Sequence, residues 1–587
     1  MKKLITIIII ILLIALPISI FIWRSLDRIR QQNAPNMETQ DFFEVNNLND
    51  GNIHIIFGDE ILELQNFPLL DNNNLYLPLD FIQEYSDLPI FWDEPLQILT
   101  ITTPTRVMRM FPNDLNYYLN LRPEILDLPI LIRNNMVYVP MDLLNELSDF
   151  NINIRFLSEN NIIIADYQDT SIAGGTAIGG GVVRLEPNHK SYIAENLEPS
   201  TAFIAFYGSG FGEEENYARI RTESGVLGYI LMSEFTEGVS TTHNLMAYNP
   251  LPQLREHRPI DGPVNMVWDL ITTIEANANE ARRVPHQGLN VLSPTWFDFD
   301  VFSLNGDMHS RASLAYVNWA HSQGYQVWAM VADNYDDRNL IDQGKTISGA
   351  ILSDTNMREH VITQLLNFAE EFNLDGLNID FERVWMIDID YFHQFLRELY
   401  PLMRERGLWL SVDVFVPAPW SMYYNRGLIA ELSDFIVVMA YDDYLGTGLI
   451  GPNASRVFVE NAIINMLNEV PAEKLVLALP FYSRIWIENT VTGEFTQRTV
   501  GMLYGHTIFT RNNAEFIWLE DLGCYFAEYE EIVNGELLIH RIWLEDLRSM
   551  EEKLRLFERY ELAGVAFWRR GLEDPRVWAL IHEYISR

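Results

Sequence analysis

Residues 374–382 read LDGLNIDFE, an apolar run that carries a polar residue at every second position toward its end. Successive side chains of a strand point to opposite faces, so Asn378, Asp380 and Glu382 share one face, with about 6.6 Å between alternate Cα atoms. Three polar groups in a row cannot sit unsatisfied in an apolar core, so they are expected at an opening where water or substrate satisfies them. Glu382 is the outermost. Asp375 starts the run with the opposite parity, and a supporting role is expected of it. A carboxyl beside another carboxylate has its pKa raised by repulsion. A Glu held protonated in this way can deliver a proton to a leaving oxygen. The bland alternative is a salt-bridged strand end, and one acidic pair alone does not exclude it.

Seven similar short runs flank this one. They lie at 264–270, 289–293, 326–331, 408–414, 435–440, 475–479 and 564–567, with amphipathic segments such as 356–372, 390–406 and 547–560 between them. Strand–helix alternation implies a parallel sheet, and eight units imply an α/β fold of (β/α)8 TIM barrel type over residues 260–587. The site is then expected at the C-terminal ends of the strands. An insertion at about 482–546 separates strands seven and eight, and TVTGEF (490–495) within it reads as a hairpin turn.

The chain has 587 residues, too many for one core, so several domains are expected. Its formal net charge of −40 argues against nucleic acid as a partner, because phosphate would be repelled. Cys524 is the single cysteine, which excludes an intrachain disulfide and a paired-cysteine metal site. The twelve histidines show no HExxH or comparable spacing, so no metal and no cofactor is expected. Residues 4–23 carry no charge and are long enough to span a bilayer, and Arg24 follows without a small-residue cleavage site. Residues 1–30 are therefore read as an uncleaved membrane anchor, with a cleaved signal peptide as the rival reading.

An internal repeat occupies residues 45–168. FPLLDNNNLYLPLDFIQEYSD (67–87) and LPILIRNNMVYVPMDLLNELSD (128–149) align at a constant offset, each reading as a hairpin with an Asn-rich turn followed by a short helix. This pattern resembles the copper amine oxidase N-terminal-like domain; without a His/Cys cluster the name implies no copper here. SIAGGTAIGGG (171–181) reads as a flexible linker. Residues 182–237, with ARIRTESGVLGYILMSEF (218–235), resemble a bacterial SH3-like module, whose usual role is cell-wall binding. Small α+β and all-β domains are thus expected ahead of the barrel.

The barrel segments resemble glycoside hydrolase family 18. LDGLNIDFE is similar to the family signature DGxDxDxE. VVMAYDDY (437–444), KLVLALPFYSRIW (474–486), the segment 542–568 ending at Trp568, LNVLSPTWF (289–297) and AHSQGYQVWAMV (320–331) fit the other strands in order. The resemblance implies that Glu382 is the general acid and later base. It implies that Asp380 orients and stabilises the substrate's acetamido group, and that the Tyr441 hydroxyl holds the acetamido carbonyl as it attacks the anomeric carbon. Asp442 is expected to line that subsite and Trp568 to be the floor on which the reacting sugar stacks. Asn378 and Asp375 complete the expected substrate-binding set. No second carboxylate is needed, because this family uses the substrate as nucleophile. One departure stands out: Asn378 replaces the motif's middle acid. Asn cannot ionise, so the usual proton sharing is altered and Asp380 is expected to have one less like charge beside it. The Asn form resembles that of enzymes from spore-forming bacteria acting on cortex or wall peptidoglycan. Trp296, Trp328, Trp385, Trp420 and Tyr482 could line the cleft or pack in the core.

Three functions remain open at this level. The first is a membrane-anchored, extracellular N-acetylglucosaminidase acting on peptidoglycan. The second is a chitinase-type endo-hydrolase. The third is a non-catalytic glycan-binding or morphogenesis protein on the same scaffold.

Overall fold

Runs such as Val264–Asp269, Gln326–Ala332 and Leu475–Pro480 are buried at every position, which is the pattern of parallel strands covered on both faces. Eight of them close on themselves in the computed structural model, which describes residues 39–147, 149–168, 173–206, 216–239, 254–279, 284–333 and 346–587. They are β1 (Val264–Asp269), β2 (Val291–Phe299), β3 (Gln326–Ala332), β4 (Gly376–Asp380), β5 (Trp409–Phe415), β6 (Phe435–Met439), β7 (Leu475–Pro480) and β8 (Gly564–Trp568). Each pairs in parallel with the next, and β8 pairs with β1 to complete the ring. The predicted strands are all present, most within one residue of their bounds. The exception is β2, which begins two residues late and runs on to Phe299.

Alternation sorts the apolar side chains into two layers. Val264, Met266, Trp268, Val291, Trp328, Met330, Val437, Val476, Ala478 and Ala566 pack with one another in one cluster. Val267, Leu292, Val327, Leu377, Ile379, Leu410 and Val412 pack in the other, with helix residues such as Leu365, Phe395 and Leu399. Two of these helices are α1 (Thr355–Glu371), capped by the Asp354 side chain, and α2 (Ile389–Arg406), which ends at Gly407 in the left-handed region. The glycine of the motif has a packing reason. A Cβ at Gly376 would lie 2.6 Å from the Trp409 carbonyl oxygen and 2.9 Å from the Trp328 ring.

The insertion is a five-stranded antiparallel sheet, not a simple hairpin. Its order is Phe495–Gly501, Tyr482–Asn489, Glu536–Leu544, Cys524–Val533, Ile517–Leu519, and the helix Met502–Arg511 packs on it through Phe509. The turn at 490–494 includes Gly493 at φ 70°.

The chain divides into two compact units. In the first, the two repeat hairpins pair side by side, Leu77 opposite Val139. Their turns, Asn72–Asn73 and Asn134–Asn135, take the left-handed backbone that Asn tolerates. A seven-stranded antiparallel sheet follows them, and it corrects the linker reading of residues 171–181. Ala173–Ala177 is a strand, paired with Ala202–Phe206 and Phe235–Val239. Its glycines serve close packing: a Cβ at Gly175 would lie 2.4 Å from the Phe203 ring. The membrane-anchor reading of residues 1–30 lies outside the described residues. Among those described, no helix is long and apolar enough to cross a membrane.

The second unit holds the barrel together with residues 90–110 and 117–124. Strands Ile90–Asp93, Ile98–Thr103 and Arg106–Met110 are adjacent and antiparallel. Arg109 Nη2 reaches Glu398 of α2 at 2.5 Å, and Arg358 Nε of α1 donates to the same carboxylate at 2.9 Å. Asp93 accepts the backbone N–H of Thr355 at 3.0 Å. Glu398 and Arg358 are fully buried. Removing one partner of a buried ion pair costs about 3–5 kcal/mol, because the remaining charge is left uncompensated. Glu398→Ala is therefore expected to destabilise the protein by about that much, read as a fall in Tm or in denaturant midpoint. Glu405→Ala, which removes the partner of the solvent-exposed Arg122, should cost about 1 kcal/mol or less. Equal, small effects of both would contradict this assignment.

Candidate active site

β4 places Asn378 and Asp380 at successive inward positions, and Glu382 follows just past its end. The three occupy different heights, and height decides their roles. Asn378 is fully buried. Its amide oxygen accepts from Trp268 Nε1 at 2.8 Å and from Ser293 Oγ at 3.2 Å. Its amide nitrogen donates to Ser411 Oγ at 3.0 Å and to Asp413 Oδ1 at 2.7 Å. The indole N–H can only donate, which fixes the amide's orientation. All the bonding capacity of Asn378 is thus taken by the barrel itself. The expected substrate contact is corrected: Asn378 is a buried crosslink below the mouth, joining β1, β2, β4 and β5. Asp375 is corrected too. It lies at the opposite, N-terminal end of β4, where it accepts from His321 Nε2 at 2.7 Å, Val327 N at 2.8 Å and Arg258 Nη1 at 3.1 Å.

Above Asn378 the walls open into a cleft of about 230 Å³. Asp380, Glu382, Tyr441, Asp442 and Trp568 line it together, as do Trp268, Asp413, Tyr482, Arg484 and Thr499. The ends of β1, β4, β5, β6 and β8 and two strands of the insertion therefore build one site. Asp380 is buried, and its Oδ1 has no hydrogen-bond partner among the described residues. Burial pushes its carboxyl well above the usual range, and Glu382, Asp413 and Asp333 push it further. The expectation that Asp380 has one less like charge beside it is overturned, because Asp413 arrives from the neighbouring strand. Glu382 stands at the mouth, open to solvent on one side and walled by protein on the other. Its carboxyl is also raised. Desolvation is the main cause, Arg383 opposes it and Asp442 adds to it. Repulsion alone, the cause read from the sequence, is the smaller part.

Tyr441 follows β6. Burial raises its hydroxyl well above the usual value, and Tyr482 and the acids beneath it add to the effect. It therefore stays a neutral hydrogen-bond donor. Asp442 adopts a left-handed φ of 63°. It accepts from Tyr482 Oη at 2.6 Å and from Arg484 at 2.5 Å and 3.2 Å, both on the first strand of the insertion. Trp568 ends β8, half-buried, its ring 5.8 Å from that of Trp268 and tilted by 55°. Among the other aromatics, Tyr482 lines the cleft. Trp296 and Trp328 are core residues, while Trp385 and Trp420 are exposed.

Two functional-site residues escaped the sequence reading. Asp413 has the same parity as Ser411 in LSVDVF, so the signal was present but on another strand. Asp333 follows the end of β3. Its carboxylate accepts the backbone N–H of Glu382 at 2.9 Å and of Arg383 at 3.2 Å, and Ser348 Oγ at 2.8 Å. It thereby holds the chain just where Glu382 leaves the strand. Asp333 is buried, and this burial lifts its pKa to about 7 despite those three bonds.

Residues 344–573 match the model of Glycosyl hydrolases family 18. These residues, which hold β4 to β8, are a family 18 glycosyl hydrolase domain. Residues 56–164 match the Copper amine oxidase N-terminal domain. The chain is 25% identical over 269 residues to the cortical fragment-lytic enzyme of Bacillus subtilis (strain 168), covering 44% of this chain and 60% of that relative. It is 23% identical over 307 residues to the uncharacterized glycosylase YvbX of the same organism, covering 51% of this chain and 85% of the relative. The crystal structure of the Bacillus cereus spore cortex-lytic enzyme SleL is 19% identical, with a TM-score of 0.48 over 56% of this chain and 75% of that one.

The barrel's Asp333 makes a testable contribution to stability. A carboxyl whose folded pKa is raised binds protons more readily when folded. Its contribution is fully present below the unfolded value near 3.8 and is lost as pH rises through about 7. Asp333→Asn removes that titration. The stability of the variant relative to wild type is expected to improve steadily as pH rises across this window, measured as the difference in Tm at each pH. A difference that stays flat with pH would show that Asp333 ionises normally.

Proposed function

We propose that this chain hydrolyses β-linked N-acetylglucosamine polymers, peptidoglycan foremost, by substrate-assisted retaining catalysis. The observation that carries the reading is the convergence of Glu382, Asp380, Tyr441 and Trp568 on one sugar-sized cleft. Protonated Glu382 gives its proton to the glycosidic oxygen as the C1–O bond breaks. The acetamido carbonyl oxygen of the same sugar closes on C1, with the Tyr441 hydroxyl holding it in line. Positive charge then spreads over the ring formed by the acetamido group. Asp380 accepts its N–H and offsets that charge in a desolvated setting where the interaction is strong. Glu382, now ionised, takes a proton from the water that opens this ring. Trp568 offers an aromatic face to the pyranose.

The choice of polymer rests on the cleft and on relatives named for cortex lysis. Glu382, Asp380, Asp413 and Asp442 line the cleft, and its cation Arg484 is paired with Asp442, so the remaining negative charge disfavours an anionic sugar. The lactyl carboxylate of a muramic acid residue is disfavoured at the reacting position, and the uncharged N-acetylglucosamine is favoured there. Residues 1–30 as a membrane anchor and the small β domain as a wall-binding SH3-like module complete the same reading. Both would keep the barrel outside the cell and beside its substrate. The chain spans 60% of the length of the first of these relatives, so the activity is this chain's own to demonstrate.

The test is digestion of purified peptidoglycan, spore cortex and chitin by wild type and Glu382→Gln. Wild type is expected to release reducing N-acetylglucosamine ends. Glu382→Gln should lose at least about 10²-fold in rate while still binding. Removing the N-acetyl groups from the glycan removes the nucleophile and should abolish cleavage. Equal binding with no release by either protein would make it a glycan-binding protein on a hydrolase scaffold. Rapid cleavage of the de-N-acetylated polymer would reject the mechanism.

A further inference from the structure

The proposed reaction leaves Asp413 unused. We propose that Asp380 and Asp413 hold one proton between them, so that Asp413, as a positioning residue, takes the place of the acid that Asn378 lacks. This rests on the glycosidase reading and deepens it.

The geometry comes from strand register. Asn378 pairs with Ser411 and Ile379 with Val412 across β4 and β5. The next position along each strand is Asp380 and Asp413. Neighbouring strands lie about 4.8 Å apart, so same-parity side chains at one level are nearest neighbours. Both residues are more than nine-tenths buried. Asn378 Nδ2 occupies Asp413 Oδ1 at 2.7 Å. That leaves Asp413 Oδ2, which is buried without a hydrogen-bond partner among the described residues, as is Asp380 Oδ1. Two adjacent carboxylates cannot both ionise cheaply in a low-dielectric site. One proton lets one oxygen donate and the other accept, which satisfies both. Asn378 contributes the direction: because it fills Oδ1, the proton of Asp413 belongs on Oδ2. An ionised Asp at 378 would have nothing to donate to Asp413.

Among the described residues, the cations that line or flank the cleft act on other acids than this pair. Glu382 lies beyond it on β4 and Asp333 at the end of β3. Tyr441 and Asp442 face it from the end of β6, Tyr482 and Arg484 from the insertion, and Trp268 and Trp568 from β1 and β8. The Arg484 guanidinium is engaged by Asp442 and Gln497. Arg383 acts on Glu382 at the mouth. Burial, with the neighbouring acids adding to it, pushes both Asp380 and Asp413 well above the ordinary carboxylate range.

The pair gives Asp380 an adjustable charge. As the acetamido group becomes cationic, the shared proton settles on Asp413 Oδ2 and Asp380 carries the full negative charge. When water opens the cationic ring, the proton returns to the shared position. No proton leaves the pair, and no bond to substrate forms at Asp413.

The full-length protein is to be titrated by difference infrared spectroscopy from mildly acidic to mildly alkaline pH as wild type, Asp413→Asn and Asp380→Asn. The signals of the other raised carboxyls, Asp333 and Glu382 among them, are common to all three and cancel. The expected result is a protonated-carboxyl band at neutral pH in wild type that each substitution removes. Kinetics divides the variants of Asp413. Asp413→Ala removes the donor and should lower kcat on the order of 10²-fold with little change in KM. In Asp413→Asn, Nδ2 can donate to Asp380 while Oδ1 still accepts from Asn378. That variant should recover most of kcat and lose the limb of the pH–rate profile that the pair produces. A band that survives in either single Asn variant, or wild-type kcat in Asp413→Ala, overturns the proposal. The infrared result needs no turnover. A protein that cleaves no N-acetylated glycan yet shows the shared band would uphold the pair and overturn the glycosidase reading.

Discussion

Every inward polar group of a closed parallel barrel must find its partner within the ring or at its mouth. That constraint organises the site. One layer of inward side chains, Trp268, Ser293, Asn378 and Ser411 with one oxygen of Asp413, is internally complete. The next level up is incomplete: Asp380 Oδ1 and Asp413 Oδ2 are buried without partners among the described residues. The change from structure to chemistry therefore happens between two successive inward positions of β4. Below it, a neutral amide ties four strands together. Above it, acids are held in a desolvated cleft where charge interactions are strong.

Burial does most of the electrostatic work there. Glu382 is raised chiefly by the protein around it, and Asp380 and Asp413 likewise, with repulsion among the acids second. The insertion contributes to this enclosure. Its strand Tyr482–Asn489 supplies Tyr482 and Arg484, which fix Asp442 in the cleft with Glu382 and Tyr441. A segment that looks peripheral in the sequence thus forms a wall of the cleft.

The strands of the barrel were legible because each is a short, continuous apolar run between helical segments, and 374–382 showed which end was polar. Parity placed Asn378, Asp380 and Glu382 on one face correctly. It could not show height along the barrel axis, which is why Asn378 read as a substrate contact and proved to be a crosslink. Asp413 and Asp333 were missed for a different reason. Asp413 shares the inward parity of Ser411 on β5 and Asp333 follows the end of β3, and only the arrangement of neighbouring strands brings them beside Asp380 and Glu382. The glycines of 171–181 misled because composition alone does not separate a loose linker from a strand packed against Phe203 and Phe235. The place of residues 90–110 in the barrel's unit depends on Arg109 meeting Glu398, a contact between residues 289 apart in the sequence.

In the proposed reaction the nucleophile belongs to the substrate and not to the protein. The most direct measurement is the anomeric configuration of the first product, followed by proton NMR on a β-linked N-acetylglucosamine oligosaccharide before mutarotation sets in. Attack by the acetamido oxygen and then by water inverts C1 twice, so the product should appear as the β-anomer. A first product in the α configuration would mean a single displacement by water, and Asp380 and Tyr441 could not then have the roles assigned to them.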